Sequence, residues 1–324
     1  MTAARVIRAD DLRGAVRFSD LVEPVARAFQ ASSAGDADNG LLVMLPADRP
    51  TDGDVFVKTS TLRGHPLYIV KIAPWFALNV QQGRPQGGLL AVFDSRTGHT
   101  LAVLEDEHYL SDIRTAAAGS VAARVLAPAV VDTALVIGSG VQAYWQPQAL
   151  YKERPFRTLL LWARNNAKAT ALAARLADVL PEVQLRVVND LEDAAGRADV
   201  LLTTTQARDP VVRGAWLRPS QHVTAIGADD QTKCELDAQT LQRARVFVDA
   251  RDTAAATGEV YRFVYAGHYA LADLAGEIGE VLAGSVPGRT SDDDITVATL
   301  AGLGVQDLVT AEVVLRVLGI PTNP

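Results

Sequence analysis

A regular alternation of short apolar strands with helices between residues 118 and 249 restricts the fold of this chain more than any other feature. The pattern predicts strands at 133–138, 158–163, 183–188, 200–205, 222–228 and 245–249, with helices at 118–127, after residue 140, at 166–180 and at 191–197. Continuous Val, Ile and Leu runs are typical of strands buried on both faces, and the intervening helices provide the crossovers that parallel strands require. We therefore expect a doubly wound parallel sheet within an α/β chain.

The two ends of the chain lack this regularity. Residues 1–117 mix short helical and strand-like segments, and a strand-like segment at 294–297 precedes a helix at 305–318. That last helix can return to pack against the first third of the chain. We predict a discontinuous α+β domain formed by 1–117 together with 298–324, and a parallel-sheet domain formed by 118–297.

The composition is that of an ordinary globular protein, with 48% hydrophobic and 21% charged residues. The 324 residues carry 31 basic and 38 acidic side chains, and the formal charge of −7 argues against charge-driven nucleic-acid binding. A single cysteine, Cys234, excludes an internal disulfide and favours the reducing cytoplasm. The acidic start and the lack of long apolar runs argue against a signal peptide and a membrane partner. The five histidines show no metal-ligand spacing, so we expect no metal.

A glycine-rich turn follows the first strand of the regular region and opens a helix. It reads Gly138-Ser-Gly-Val-Gln-Ala143, which is the G-x-G-x-x-A form of the dinucleotide fingerprint. Gly138 permits the tight turn, Gly140 lets the backbone approach a pyrophosphate, and the helix N-terminus offers free N–H groups. An accidental Gly-x-Gly turn is the alternative. In this context the motif predicts a Rossmann-like domain that binds NAD(P).

The end of the second strand carries the information about the cofactor. An NAD site usually has an acid there for the ribose 2′-hydroxyl, whereas this chain has Arg164 and Asn165. A guanidinium can pair with a 2′-phosphate, and an amide can donate to it. We therefore expect NADP(H) to be preferred, with NAD(H) as the alternative if Arg164 is an ordinary surface arginine.

Four segments together resemble the ornithine cyclodeaminase/μ-crystallin family. They are 70–73 with Asn79 nearby, 110–118 (Leu-Ser-Asp-Ile-Arg-Thr-Ala-Ala-Ala), the glycine turn at 138–143, and 226–236 (Ile-Gly-Ala-Asp-Asp-Gln-Thr-Lys-Cys-Glu-Leu). Val57-Lys58, the Lys71 segment and 302–307 resemble the ectoine-utilisation branch more than the ornithine enzyme. The resemblance implies a homodimer whose discontinuous domain carries the dimer interface and part of the substrate site. It also implies chemistry that passes through an imino acid and a hydride on nicotinamide.

The resemblance implies a role for three charged residues. Arg114 would bind the substrate α-carboxylate and contact the nicotinamide side, Lys71 would face the carboxylate or imine, and Asp229 would contact the substrate amino group and move a proton. From the residues alone, an edge-strand lysine is the more ordinary interpretation of Lys71. Arg114 begins or immediately precedes a helix and reads equally as paired with Asp112. Asp230 is the alternative to Asp229.

Further contacts follow from the same resemblance. Thr115, Val141, Gln142, Thr205, Ile226, Gly227, Ala228, Lys233 and Leu300 would contact the cofactor, and Lys58 and Ala301 the substrate. The chain departs from the family at three positions. Ala47 stands where an arginine is expected, and Gln86 and Leu300 each stand where Thr or Ser is expected. These changes weaken the case for ornithine as the substrate. Lys58 can replace the missing arginine as a cation, but it fits equally well as a surface lysine.

Three functions fit these observations. The first is an NAD(P)H-dependent imine reductase or amino-acid dehydrogenase. The second is a cyclodeaminase, a lyase with bound NAD. The third is a non-catalytic, NADP-regulated binding protein like μ-crystallin. Net consumption of NAD(P)H separates the first from the second.

Overall fold

The computed structural model describes residues 4–46, 48–49 and 52–322, so the Ala47 register lies outside the described residues. Its strands are β1 Arg5–Arg8, β2 Ala37–Met44, β3 Gly53–Leu62, β4 Leu67–Phe76, β5 Leu89–Asp94, β6 Thr100–Glu105, β7 Thr133–Ile137, β8 Thr158–Trp162, β9 Gln184–Val187, β10 Val200–Thr203, β11 His222–Ala225, β12 Arg245–Val248, β13 Gly276–Glu277 and β14 Thr296–Thr299. Its helices are α1 Ala9–Leu12, α2 Phe18–Ser33, α3 Ala77–Gln81, α4 Tyr109–Leu126, α5 Val141–Glu153, α6 Asn166–Ala177, α7 Leu191–Arg197, α8 Ala238–Arg243, α9 Arg251–Ala256, α10 Gly258–Tyr265, α11 Ile278–Leu282 and α12 Gly304–Val317.

The chain forms two compact units, one comprising Met1–Arg114 with Leu303–Pro324 and the other Thr115–Gly302. The sequence-based division had its boundaries at 117/118 and 297/298, whereas these units divide at 114/115 and 302/303. The first boundary falls inside α4 and the second just before α12. Among the described residues, no helix has the length and apolar character needed to cross a membrane.

The discontinuous unit is built on a six-stranded sheet with the order β1-β6-β5-β4-β3-β2. All neighbours are antiparallel except the β1–β6 pair. Alternate residues of β4, Leu67, Ile69 and Lys71, are buried, and α12 packs against β3 and β4. The reading of Lys71 as an edge-strand lysine is therefore wrong, because β4 is an interior strand and the edges are β1 and β2.

Helix α12 lies very close to the sheet because its first residue has no side chain. A Cβ on Gly304 would come within 2.4 Å of the carbonyl oxygen of Thr59 on β3. Oδ1 of Asn39 on β2 accepts a hydrogen bond of 2.7 Å from the N–H of Val305, which satisfies one of the free donors of the first helical turn. The start of α12 is thereby fixed over β3, and the side chains of Gln306 and Asp307 follow in its first turn.

The second unit is built on an eight-stranded sheet with the order β13-β12-β14-β11-β10-β7-β8-β9, and all its neighbours are parallel. Leu135 and Ile137 of β7 belong to one apolar core, while Ala134 and Val136 belong to another, so the sheet is buried on both faces. This confirms the predicted doubly wound sheet. The strand order reverses between β7 and β10, which is where parallel sheets of this kind bind ligands.

Three details differ from the sequence-based expectation. Helix α4 begins at Tyr109 rather than Ala118, because the segment from Tyr109 to Ala117 continues the same helix. The last strand is displaced to Thr296–Thr299 and is inserted between β11 and β12. The two-residue strand β13 was not predicted, since two residues give no readable periodicity.

Candidate active site

A buried ionic cluster in the discontinuous unit connects β4, α4 and α12. The ammonium of Lys71 donates to Oδ1 of Asp307 at 2.8 Å, and Nε of Arg114 donates to the same oxygen at 3.2 Å. Nη1 of Arg114 donates to Oε1 of Gln306 at 3.2 Å. All four residues are buried. The guanidinium therefore has a fixed orientation.

Lys58 adds a third cation beside this cluster. It lies directly opposite Lys71 in the β3–β4 register, and it is 6% exposed, so its reading as a surface lysine is wrong. We call Lys58, Lys71 and Arg114 the cation cluster. Burial opposes ionisation of Asp307, but Lys71, Arg114 and Lys58 outweigh it and lower the pKa of that carboxyl to about 2.

The same charges act in the opposite direction on Lys71. Burial lowers the pKa of its ammonium, and although Asp307 opposes this, repulsion by Arg114 adds to it. Asp106, whose pKa is raised by burial, is a second carboxyl near Lys71. Arg114 and Lys71 share one oxygen of the ionised Asp307, and guanidinium and ammonium groups placed in this way are suited to bind a further carboxylate.

The sequence predicted that Arg114 begins or immediately precedes a helix, and this prediction is wrong. Arg114 is the sixth residue of α4, one turn beyond the first residue, and the partners that hold its side chain come from α12. Pairing with Asp112 was the local interpretation. Asp307 lies 193 residues away in the chain, so sequence proximity could not indicate it.

In the second unit, the glycine turn has the geometry that a dinucleotide pyrophosphate requires. Gly138 has a φ of +131°, and a Cβ there would lie 2.4 Å from Oγ1 of Thr204. A Cβ on Gly140 would meet nothing within 4 Å, so the backbone at the start of α5 is open to a ligand. Val141 and Gln142 form the first turn of that helix, whose N-terminal N–H groups favour an anion. These residues fit a bound dinucleotide.

Arg164 and Asn165 follow β8 on the same edge of the sheet, and both are exposed. Asn165 caps α6, since its Oδ1 accepts a hydrogen bond of 3.2 Å from the N–H of Lys168. Ala163 occupies the position next to Arg164, where an NAD site usually holds an acid. The structure thus presents a cation and an amide at the end of the second strand of this unit.

A buried glutamate, Glu235, joins the ends of β10 and β11. Its Oε1 accepts from the N–H and hydroxyl of Thr205 at 2.6 and 2.8 Å. Its Oε2 accepts from the N–H of Gly227 and the hydroxyl of Thr203, both at 2.7 Å. The Thr205 hydroxyl therefore donates its proton to Glu235. A cofactor can then contact Thr205 only through the hydroxyl oxygen, as an acceptor, or through the backbone of Thr205.

The two neighbouring aspartates after β11 have different surroundings. Asp230 is largely buried and accepts from the N–H groups of Thr232 and Lys233 and from the Thr232 hydroxyl. Asp229 has a side chain that is 40% exposed, and its Oδ1 accepts from the ammonium of Lys233 at 2.5 Å. Asp230 shapes the turn, whereas Asp229 offers a carboxylate at its surface.

The remaining predicted residues lie at the carboxyl ends of the same parallel strands. Ile226 and Ala228 are buried on either side of Gly227 after β11, and Leu300 and Ala301 follow the adjacent strand β14. The N–H of Leu300 donates to the carbonyl oxygen of Ala225 at 3.0 Å. Thr115 is the first residue of this unit, and its carbonyl oxygen accepts from Nε2 of Gln146 on α5.

Sequence reasoning missed Asp307, Gln306 and Glu235 as members of these arrangements. Asp307 and Gln306 belong to a segment singled out only for its resemblance, and Glu235 follows Cys234 in a quoted motif. An acid in the first turn of a mainly apolar helix was the available signal for Asp307. Among the described residues, no group of three or more His, Cys, Asp or Glu side chains is arranged to hold a metal ion.

The chain belongs to the ornithine cyclodeaminase/mu-crystallin family, whose sequence model matches residues 4–318. This confirms the family that the four segments predicted. A protein of Rhizobium meliloti named as a dehydrogenase is 38% identical over 312 residues, which cover 95% of this chain and 93% of that protein. An uncharacterised cyclodeaminase of Sinorhizobium fredii is 37% identical over 311 residues, with the same coverage of 95% and 93%.

Solved structures extend the likeness to the whole fold. The Δ1-pyrroline-2-carboxylate reductase of Thermococcus litoralis, in complex with NADH and L-proline, has a TM-score of 0.90 at 25% identity, covering 99% of this chain and 100% of that one. An archaeal alanine dehydrogenase dimer with bound NAD has a TM-score of 0.89 at 29% identity, covering 97% and 95%. The predicted combination of a Rossmann-like domain with a second α+β domain is confirmed.

Proposed function

We propose that this protein reduces an imino acid to an L-amino acid with a nicotinamide cofactor, and that the reaction is reversible. The cation cluster around Asp307 is the observation that carries the proposal, because it favours a carboxylate ligand. The solved relatives support it, since one is a pyrroline-2-carboxylate reductase with NADH and L-proline and the other an alanine dehydrogenase with NAD.

The roles of the side chains follow from their charges and contacts. Arg114, held by Asp307 and Gln306, binds the substrate carboxylate together with Lys58. Lys71, whose pKa burial lowers, donates a proton to the substrate nitrogen or removes one in the reverse direction. Asp229 stabilises the positive charge of the iminium by electrostatic attraction. The bound cofactor supplies the hydride.

The residues at the carboxyl edge of the parallel sheet bind that cofactor. Gly138, Gly140, Val141 and Gln142 hold the pyrophosphate, Thr205, Gly227 and Lys233 flank the nicotinamide half, and Arg164 with Asn165 holds the adenine ribose. The exposed guanidinium and the absence of an acid at Ala163 favour NADP(H), although the solved relatives hold NAD or NADH.

A homodimer is also part of the proposal. Consecutive apolar residues of the edge strand β2 and the residue after it are exposed: Leu41, Leu42, Val43, Met44 and Leu45. An exposed apolar edge strand needs a cover, and a second copy is the commonest one. We expect a dimeric mass by light scattering for the native protein, a monomeric mass for Leu42→Asp, and no change for Val130→Asp, an even more exposed apolar position outside this strand. A monomeric native protein would contradict the dimer.

The single cysteine supports a cytoplasmic location. Cys234 is free and buried, which suits a reducing compartment.

The test of the reaction is a panel of substrates assayed with NADPH and NADH. Pyruvate with ammonia or methylamine and cyclic imino acids such as Δ1-pyrroline-2-carboxylate cover the linear and cyclic classes. We expect stoichiometric oxidation of the reduced cofactor with formation of the L-amino acid. The second candidate is a cyclodeaminase, because the Sinorhizobium fredii relative is named as one. A cyclodeaminase would instead release ammonia from a diamino acid without net oxidation of the cofactor.

A further inference from the structure

The turn before helix α4 holds two consecutive residues in the left-handed backbone region. Glu107 has a φ of +49° and His108 a φ of +68°. Residues other than glycine rarely adopt this conformation, and the strain is kept only where the surroundings determine it. The backbone therefore pays a conformational energy cost to hold the His108 side chain in its position, which is typical of a residue with a function.

Hydrogen bonds on both sides fix this turn. The N–H of Tyr109 donates to the carbonyl oxygen of Asp106, and the N–H of Asp112 donates to that of His108, both at 2.9 Å. Oδ2 of Asp106, a buried side chain, accepts from the N–H of Leu110 at 2.9 Å. The Cα of His108 has a fixed position relative to Arg114, which is six residues further along the chain.

One ring nitrogen of His108 is engaged and the other is not. The imidazole hydrogen bonds to the backbone carbonyl of Pro74 on β4, and Nε2 is buried without a hydrogen-bond partner. Nδ1–H is thus the donor to Pro74, which leaves a lone pair on Nε2 of the neutral ring. Burial, with Lys71 and Arg114 nearby, lowers the pKa of His108 to about 4, so the ring is neutral at pH 7.

Lys71, Arg114 and Asp307 all act on the charge of the His108 ring, so the ring lies beside the cation cluster. Lys71 donates to Asp307, and Arg114 donates to Asp307 and Gln306. Oδ2 of Asp307 and Nε2 of Gln306 are, like Nε2 of His108, buried without a hydrogen-bond partner. Three such atoms on residues that neighbour Lys71 and Arg114 indicate a polar site that a ligand completes.

We propose that His108 is a further substrate-contacting residue, whose Nε2 accepts a hydrogen bond from the N–H of the substrate nitrogen while the cation cluster holds the adjacent carboxylate. This inference rests on the proposed function and makes it more specific. A lone pair does not attract a carboxylate, but it does accept from an iminium or an amine that carries a proton. His108 then selects imino acids that have an N–H over those whose nitrogen is fully substituted.

Two planar carboxylates that differ in one ring atom test the inference. Pyrrole-2-carboxylate offers an N–H beside its carboxylate, whereas furan-2-carboxylate has an oxygen there. Dissociation constants are measured by calorimetry with saturating cofactor for the native protein, His108→Leu and His108→Gly. The glycine variant tolerates the positive φ, so it remains informative if the leucine variant folds poorly. His65→Gln, a histidine of the same unit that contacts Glu312 instead, is the control.

We expect the native protein and His65→Gln to prefer the pyrrole by about tenfold or more, the value of one hydrogen bond to a polar or charged group. Both His108 variants should reduce this ratio to about one, mainly through weaker binding of the pyrrole. Equal binding of both compounds to the native protein, or an unchanged ratio in the variants, overturns the role of His108 and leaves the proposed function intact. Binding of neither compound to the native protein contradicts the carboxylate site itself, and the inference falls with it.

Discussion

Lys58 and Lys71 lie directly opposite each other on neighbouring antiparallel strands, and both side chains are buried. Like charges in this relationship destabilise a sheet. Asp307 reduces the repulsion by hydrogen bonding to Lys71, and Arg114 shares the same carboxylate oxygen. The arrangement is understandable if a ligand carboxylate also contacts these cations, because the protein then tolerates their repulsion for the sake of binding.

The first prediction concerns the role of Asp307 in stability. Asp307→Asn removes the carboxylate that compensates Lys71 and Arg114, and breaking a buried pair in this way costs about 3–5 kcal/mol. We expect a loss of this size in the free energy of unfolding, measured by urea denaturation at pH 7. Asp293→Asn, at an exposed acid, should change it by less than about 0.5 kcal/mol. An Asp307 variant as stable as the Asp293 variant would show that the cation cluster does not depend on this carboxylate.

The second prediction concerns Arg114 and substrate binding. Arg114→Lys replaces a planar fork with a point charge, so it loses the bidentate contact with the carboxylate. We expect KM for the imino acid to rise by about ten- to a hundredfold, corresponding to one charge-assisted hydrogen bond. Arg124→Lys, on the same helix but paired with Glu153, should leave KM unchanged. Equal kinetics of the two variants would remove Arg114 from the substrate site.

The third prediction separates the two aspartates after β11. Asp229→Asn should lower kcat by about a hundredfold or more while cofactor affinity stays largely intact, since a charge that stabilises the reacting iminium is lost. Asp230→Asn should act mainly on stability, because Asp230 holds the N–H groups of Thr232 and Lys233. Steady-state kinetics and thermal melting of both variants decide between them. A larger loss of kcat for the Asp230 variant would exchange the two roles.

The parallel-sheet unit could be predicted from the sequence because its strands, helices and glycine turn are each specified by neighbouring residues. Strands buried on both faces, such as Thr133–Ile137, are continuous apolar runs, and the glycine turn that follows them requires Gly138 for its positive φ. Apart from Arg114 and Thr115 on α4, the residues predicted to bind the cofactor follow the carboxyl ends of these strands. Their position at one edge of the sheet is a consequence of parallel strand order alone.

The discontinuous unit was harder to predict from the sequence because its contacts connect distant parts of the chain. Lys71 and Asp307 are separated by 236 residues, and neither carries a local signal that names the other. The start of α4 was placed late, so Arg114 was assigned to a helix terminus. Thr205 and Gly227, which bind Glu235, follow two neighbouring strands and could be recognised as its partners only after those strands were paired.

The fourth prediction tests the cofactor preference. Ala163→Asp combined with Arg164→Ala places a carboxylate near the ribose and removes the guanidinium that would pair with a 2′-phosphate. We expect the native protein to bind NADPH about ten- to a hundredfold more tightly than NADH, and the double variant to reverse the order. Nicotinamide fluorescence titrations measure both constants, with Arg197→Ala, a surface arginine paired with Asp193, as the control. Equal affinities in the native protein would favour an Arg164 that stacks on the adenine.

The fifth prediction concerns a buried carboxyl in the second unit. Glu259 accepts hydrogen bonds from the N–H groups of Glu235 and Leu236. Burial, followed by repulsion from Glu235, raises its pKa to about 8 from an ordinary value of 4.5. The folded state therefore keeps a proton that the unfolded state releases above pH 4.5.

The sign of the pH dependence follows from this difference in proton binding. The stability that Glu259 contributes is fully present below pH 4.5 and is lost as the pH rises towards 8, at up to about 1.4 kcal/mol per pH unit. We expect the free energy of unfolding of the native protein to fall between pH 6 and pH 8, and the slope to be smaller in Glu259→Gln, which cannot ionise but keeps an acceptor for both N–H groups. Glu182→Gln, at an exposed position, should retain the native slope. Parallel pH profiles for the native protein and Glu259→Gln, from urea denaturation at four or more pH values, would mean that Glu259 is already ionised at pH 6 in the folded protein.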